Sequence, residues 1–156
     1  MKFYLALLLS IISTSLHAED YLKITEASQF FDEFRKLVLN NERELVSKSL
    51  KYPLPMSGIK VNNPNEFLEN YDRIMNGPIM DLIKCSSGSD VKKMGWRGYM
   101  VSNGGIWMDG VYFGDIHPVK GSPTYIQDFR AYSEDRMNWH MRIIAMFEDG
   151  ASCDAL

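Results

Sequence analysis

Between Met137 and Phe147 every second residue is apolar: Met137, Trp139, Met141, Ile143, Ala145 and Phe147. A period of two marks a strand with one face on a core. The alternate positions begin polar, at Asn138, His140 and Arg142, and turn apolar at Ile144 and Met146. Upstream, Trp96 to Ser102 and Ile106 to Phe113 flank Asn103-Gly104-Gly105, a hairpin signal. Tyr125 to Ser133 reads as the partner of the last strand, in a second hairpin turning at Glu134-Asp135-Arg136. Gly114 to Ser122, with Pro118 inside it, is a longer loop.

The N-terminal half has a different period. Phe30, Phe31, Phe34, Leu37 and Val38 fall at helical spacing, predicting a helix from about Glu26 to Asn40 capped by Thr25. Asn41 and Glu44 signal a second, short helix over Glu42 to Leu50. Tyr52-Pro53-Leu54-Pro55 must be extended, because proline excludes helical geometry for itself and its predecessor. Asn63-Pro64-Asn65-Glu66 is a strong helix start, with cap, first-turn proline and capping-box glutamate in order. That helix buries Phe67, Leu68, Tyr71, Ile74 and Met75 and ends at Asn76-Gly77-Pro78. A short segment, Ile79 to Lys84, then runs to Cys85. Helices first and antiparallel strands after is an α+β order, with N-terminal helices on one face of a curved sheet of about four to five strands.

The first 18 residues have the three parts of a secretory signal: Lys2, the apolar run Phe3 to Ile12, and the small polar stretch Ser13 to Ala18. The apolar run is about half of the roughly 20 residues a bilayer span needs, so no membrane span is expected after processing. Cleavage near Ala18 leaves 138 of the 156 residues as one domain, 19–156, and moves the net charge from −3 to −4. An acidic chain without a basic run is not built for nucleic acid. A periplasmic or secreted location follows, and there the two cysteines, Cys85 and Cys153, are expected to pair. Closing so long a loop stabilises a fold by about 4 kcal/mol in the chain-entropy model.

The order of elements resembles the nuclear transport factor 2-like cone fold, and the chain is similar to uncharacterised secreted bacterial proteins of that superfamily. The resembling pieces are YPL at Tyr52 to Leu54, FLENYDRIM at Phe67 to Met75, and GYMVSNGGIW at Gly98 to Trp107. The resemblance implies a cone-shaped sheet, a pocket between helices and sheet, and often a dimer through the open sheet face. It implies no activity, because the fold hosts enzymes, binding modules and assembly domains alike.

Chemistry-bearing groups are sparse. Asp109 shares a strand face with Trp107, Val111 and Phe113, where a carboxylate would have a raised pKa. The plainer reading is that Gly110 marks a bulge with Asp109 at its solvated edge. His140 alternates away from the apolar face. Asp115-Ile116-His117 offers two ligands, short of the three or four that a zinc site needs. No GxSxG or SxxK occurs, and the NGG turn precedes no helix that would make it a phosphate loop. No cofactor, metal or catalytic set is therefore expected.

The strand half is dense in Trp, Tyr and Met, with large apolar residues on both sides of its strands. A sheet apolar on both faces needs a second cover. The expected function is a non-enzymatic binding protein that recognises a protein or small ligand, with an inhibitor or immunity-type role as one version. The site would be built from Trp107, Met108, Tyr112, Asp109 and Tyr71. Ile106 and Met108 leave their strand on one side and Trp107, Val111 and Phe113 on the other. Met108 is expected to face outward, with Trp107 or Tyr112 at the centre of the open face, which a homodimer or another partner would cover. The alternative is a small-molecule enzyme using Asp109 or Tyr71 as acid-base group in the cone pocket.

Overall fold

The computed structural model describes residues 23–75 and 77–148. The expected signal segment, its cleavage site at Ala18 and the second cysteine, Cys153, lie outside the described residues.

The amphipathic N-terminal stretch forms α1, Ile24–Leu39, which buries Ala27, Phe31, Phe34 and Val38. It starts earlier than Thr25 allows as a cap: Lys23 is the cap residue, and its amide donates to the Glu26 carboxylate. Asn41 adopts a left-handed conformation, φ 58°. That turns the chain into α2, Arg43–Lys48, for which Glu42, not Asn41, is the cap. The two-proline segment is extended as expected. Leu54–Met56 (β1) and Ile59–Val61 (β2) make a small antiparallel hairpin from it.

Asn63 caps α3, Pro64–Glu69, accepting from the Glu66 amide at 2.9 Å. Glu66 does not close the expected capping box on Asn63: its carboxylate accepts instead from the amide of Asn62, one residue before the cap. The expected single helix is two pieces, because the backbone leaves helical geometry at Asn70, whose side chain donates back to the Glu66 carbonyl. Tyr71–Ile74 (α4) follows, and Pro78–Cys85 (α5) buries Ile79, Leu82 and Ile83.

The sheet has six strands among the described residues, in the order β2-β1-β6-β5-β4-β3. The remaining strands are β3, Lys92–Lys93; β4, Tyr99–Val101; β5, Ile106–Tyr112; and β6, Trp139–Met146. All pairs are antiparallel except β1 with β6, which run parallel, so the sheet is mixed and open at both edges. The NGG hairpin is present: β4 and β5 meet at Val101 and Ile106, with Ser102, Asn103 and Gly104 at positive φ between them.

Several expectations about the strand half are overturned, and Met137 is one: it lies in a helical turn before β6 and is 85% exposed, not on the core face. Tyr125 to Ser133 is not a strand: Tyr125–Glu134 is a helix, α6, so the second hairpin is a helix-to-strand junction. The reason is visible in the spacing. Tyr125, Phe129 and Tyr132 recur at helical intervals, and neighbouring rings among them lie 6.0 and 6.3 Å apart. Trp96 belongs not to a strand but to a single helical turn, Gly95–Arg97, where it is 91% exposed. The sheet's bulge lies between Trp107 and Met108, not at Gly110, which pairs in register with Met141.

One layer of helices covers one face of this sheet. Phe31, Phe34, Phe67, Ile79, Leu82 and Ile83 from the helices form a continuous core with Leu54, Val101, Ile106, Met108, Ile143 and Met146 from the strands. Each such side chain contributes about 1.5–3 kcal/mol by leaving water.

Candidate functional site: the open face of the sheet

Residues directly opposite each other in a ladder project from the same side of the sheet, so the register sorts the side chains. Ile106 with Met146, Met108 with Ile143, Gly110 with Met141 and Tyr112 with Trp139 lie on the covered side. Trp107 with Ala145, Asp109 with Arg142 and Val111 with His140 lie on the other. The bulge lets Met146 and Ile143 share one side although they are three positions apart. It moves Ala145 off the side that strict alternation assigned to it. The same logic puts Met100 and Lys92 beside Trp107, and Lys60 beside Pro55 at the far edge. Leu50 bridges Ile143 and is buried, so Lys51, next along the chain, emerges on the open side.

Two guanidinium–aromatic pairs define this open face. The Arg97 guanidinium sits 5.9 Å from the Trp107 ring centre, and the Arg142 guanidinium 4.9 Å from that of Phe113. Such stacking is favourable by about 0.5–1 kcal/mol in exposed positions. The Trp107 ring is pinned by its indole N–H, which donates to the Gly104 carbonyl at 2.9 Å. Phe113, 56% exposed, also packs beside His140, with ring centres 5.7 Å apart. Arg142 donates to the Met141 carbonyl, and partial burial lowers its pKa from the ordinary guanidinium value.

Asp109 lies in the middle of this face, between Trp107 and Val111 along its strand and opposite Arg142. Its carboxylate accepts from the Gly110 amide at 2.8 Å. Burial raises its pKa; the Gly110 amide and the Lys51 charge pull the other way.

The other expected site residues are elsewhere. Met108 is fully buried under the helices and does not face outward. It follows Trp107 across the bulge, and the odd-even rule places it on the core side with Ile106 and Ile143. Tyr112 is not at the centre of the open face either. It turns to the covered side, where its ring packs 4.6 Å from Tyr132 of α6 and 5.4 Å from Trp139. Its hydroxyl donates to Asp135 at 2.7 Å, and the Asn138 amide donates to the same carboxylate. Burial raises the Tyr112 pKa, whereas Asn138 and then Tyr112 lower that of Asp135. This cluster, with His117 edge-on to Tyr112, docks α6 on the end of the sheet.

Tyr71 is in the helical layer and 3% exposed. Phe67 meets its ring edge-on at 5.6 Å, and the Arg43 guanidinium lies 4.6 Å from it while forking onto Asp72 at 2.6 and 3.1 Å. Burial raises its pKa, and Arg43 opposes that. Its hydroxyl has no hydrogen-bond partner among the described residues. Tyr71 and Asp109 thus lie on opposite sides of the sheet and are not brought together.

Sequence reasoning missed the cations. Lys51, Lys60, Lys92 and Arg97 are scattered along the chain and meet only through strand order. Arg142, an alternate position of the last strand, carried the one readable signal. Among the described residues no helix is long and apolar enough to cross a membrane. No protein-family model matches the chain, and no curated protein or solved structure matches it significantly.

Proposed function

We propose that the chain is a non-enzymatic binding protein, exported to the periplasm, that holds a protein partner against the open face of its sheet. The observation that carries this reading is the Trp107–Phe113 stretch. Two large aromatic rings lie under guanidinium groups on the face opposite the one that the helices among the described residues cover. Trp, Tyr, Met and Arg are enriched at protein contacts, and an unclad patch of this kind marks a binding site. Asp109 stands on the open face, away from the helix-covered core, and its carboxylate takes the Gly110 amide, which favours the binding reading over an acid-base group enclosed in a pocket. Export is supported by the signal-like residues 1–18. A nuclear transport factor 2-like cone is supported by the helices-first order and by the long, bulged β5–β6 pair.

The test is retention of partners from periplasmic extract by the mature chain, compared with Trp107→Glu and with Lys48→Glu, a change on α2. A partner retained by the wild type and the α2 variant but lost by Trp107→Glu is the expected result. A partner retained equally by all three, with Trp107→Glu still folded by circular dichroism, overturns the reading.

A further inference from the structure

Resting on that reading, we infer that the partner's contact surface is acidic, a carboxylate-rich protein patch that the open sheet face recognises by charge. The chain as a whole has 20 acidic and 17 basic residues and a net charge of −3. The open face reverses this balance. It carries Lys60 from β2, Lys51 beside β6, Arg142 from β6, Arg97 over β5 and Lys92 from β3, against one carboxylate, Asp109, among the described strand residues of this face. Asp109 is itself biased toward its neutral form by burial.

None of these five cations has an ion-pair partner among the described residues. Three arginines away from this face are paired: Arg43 with Asp72, Arg130 with Glu134 and Arg136 with Glu26. The five charges share the face that carries Trp107 and Phe113. The two arginines are also pre-oriented. Each guanidinium carbon lies over an aromatic ring, Trp107 or Phe113, and an arginine so placed has N–H groups left for bidentate contact with a carboxylate.

Charge also decides between occupants. A second copy docked about a two-fold axis would set this face on itself, cation against cation, so a homodimer here is disfavoured. A nucleic acid would meet these five charges spread over six strands, about 24 Å at the usual strand spacing, and would be repelled by the rest of an acidic chain. A protein surface with spaced carboxylates matches both the spread and the apolar centre. The breadth suits an interface of ordinary size, about 800 Å² on each partner.

The probe is immobilised oligo-glutamate, with immobilised single-stranded DNA as comparison, and the mature chain as analyte at low salt. The wild type should bind oligo-glutamate in preference to DNA, and binding should fall as salt rises. Arg97→Gln combined with Arg142→Gln should weaken it about tenfold. Arg130→Gln, on α6, should leave it unchanged, with all variants matched for fold by circular dichroism. No retention on oligo-glutamate, preference for DNA, or equal retention by the paired Arg97 and Arg142 variant overturns the inference. A partner from extract that is lost with Trp107→Glu but kept by the paired arginine variant would refute the acidic surface while leaving the binding face in place.

Discussion

Asp109 of β5 and Arg142 of β6 are direct cross-strand neighbours, yet each makes its contacts elsewhere. The carboxylate takes the Gly110 amide, and the guanidinium stacks on Phe113 and donates to the Met141 carbonyl. The arrangement leaves Asp109 partly desolvated, with a raised pKa. In the range between its unfolded and folded pKa values, the folded state holds a proton that the unfolded chain has released. This group therefore favours folding at low pH, and its contribution is lost as pH rises through the folded value.

Asp109→Asn should then be more stable than the wild type at neutral pH. Asparagine still accepts from Gly110, and it carries no charge to desolvate. The advantage should vanish below about pH 3.9, the unperturbed aspartate value. Urea unfolding at several pH values measures it, and an asparagine variant less stable at neutral pH than at low pH, relative to wild type, would contradict the assignment.

Met108 tests the sorting of β5 into two faces. Because it is buried in the core, Met108→Ala should cost about 2–5 kcal/mol, and Met108→Glu should prevent folding by burying an unpaired charge. Val111→Ala, three pairs along on the open side, should cost under about 1 kcal/mol. Equal losses at the two positions in denaturant unfolding would mean that the faces are misassigned.

Much of this architecture was legible where one period dominates. The spacing of Phe31, Phe34 and Val38 specifies α1, and Asn63-Pro64-Asn65-Glu66 specifies the start of α3, because cap chemistry is local. The α6 segment misled because Tyr125, Ile126, Phe129 and Tyr132 are residues that strands favour, and the Glu134-Asp135-Arg136 stretch after them reads as a turn. Their spacing was helical all along. In β6 the alternate positions turn apolar at Ile144 and Met146, which is where the bulge shifts the register. That change of pattern was visible, but its meaning depends on which strand lies alongside. The basic face was illegible for the same reason: Lys51, Lys60 and Lys92 share a surface only because β6 sits between β1 and β5.

Gly98 provides a test of close backbone approach. It has φ +85°, and a Cβ there would lie 2.4 Å from the Met108 carbonyl oxygen and 3.1 Å from the Asp109 side chain. Gly58 has a similar φ, +72°, but nothing within 4 Å of an added Cβ. Gly58→Ala should cost only the left-handed backbone strain, about 1–2 kcal/mol. Gly98→Ala should cost distinctly more, because β4 must shift away from β5. Thermal unfolding of the two variants side by side is the measurement, and matching midpoints would refute the close approach.

The last prediction concerns the cysteines. The Phe147 amide donates to the Gly105 carbonyl at 2.7 Å, so the end of β6 lies beside the NGG turn. A Cβ on Gly105 would fall 2.1 Å from the Leu82 side chain, so that turn packs directly on α5, three residues before Cys85. The six residues from Phe147 to Cys153 span at most about 20 Å, ample to reach back to the end of α5. We predict that Cys85 and Cys153 form an intrachain bridge in the exported protein. Non-reducing peptide mapping should recover the two cysteine peptides linked, and mass analysis should show no dimer. Cys85→Ser should lower unfolding stability by about 2–5 kcal/mol, and Cys153→Ser should match it, because both remove the same loop closure. Two free thiols in protein purified from the periplasm would rule the bridge out.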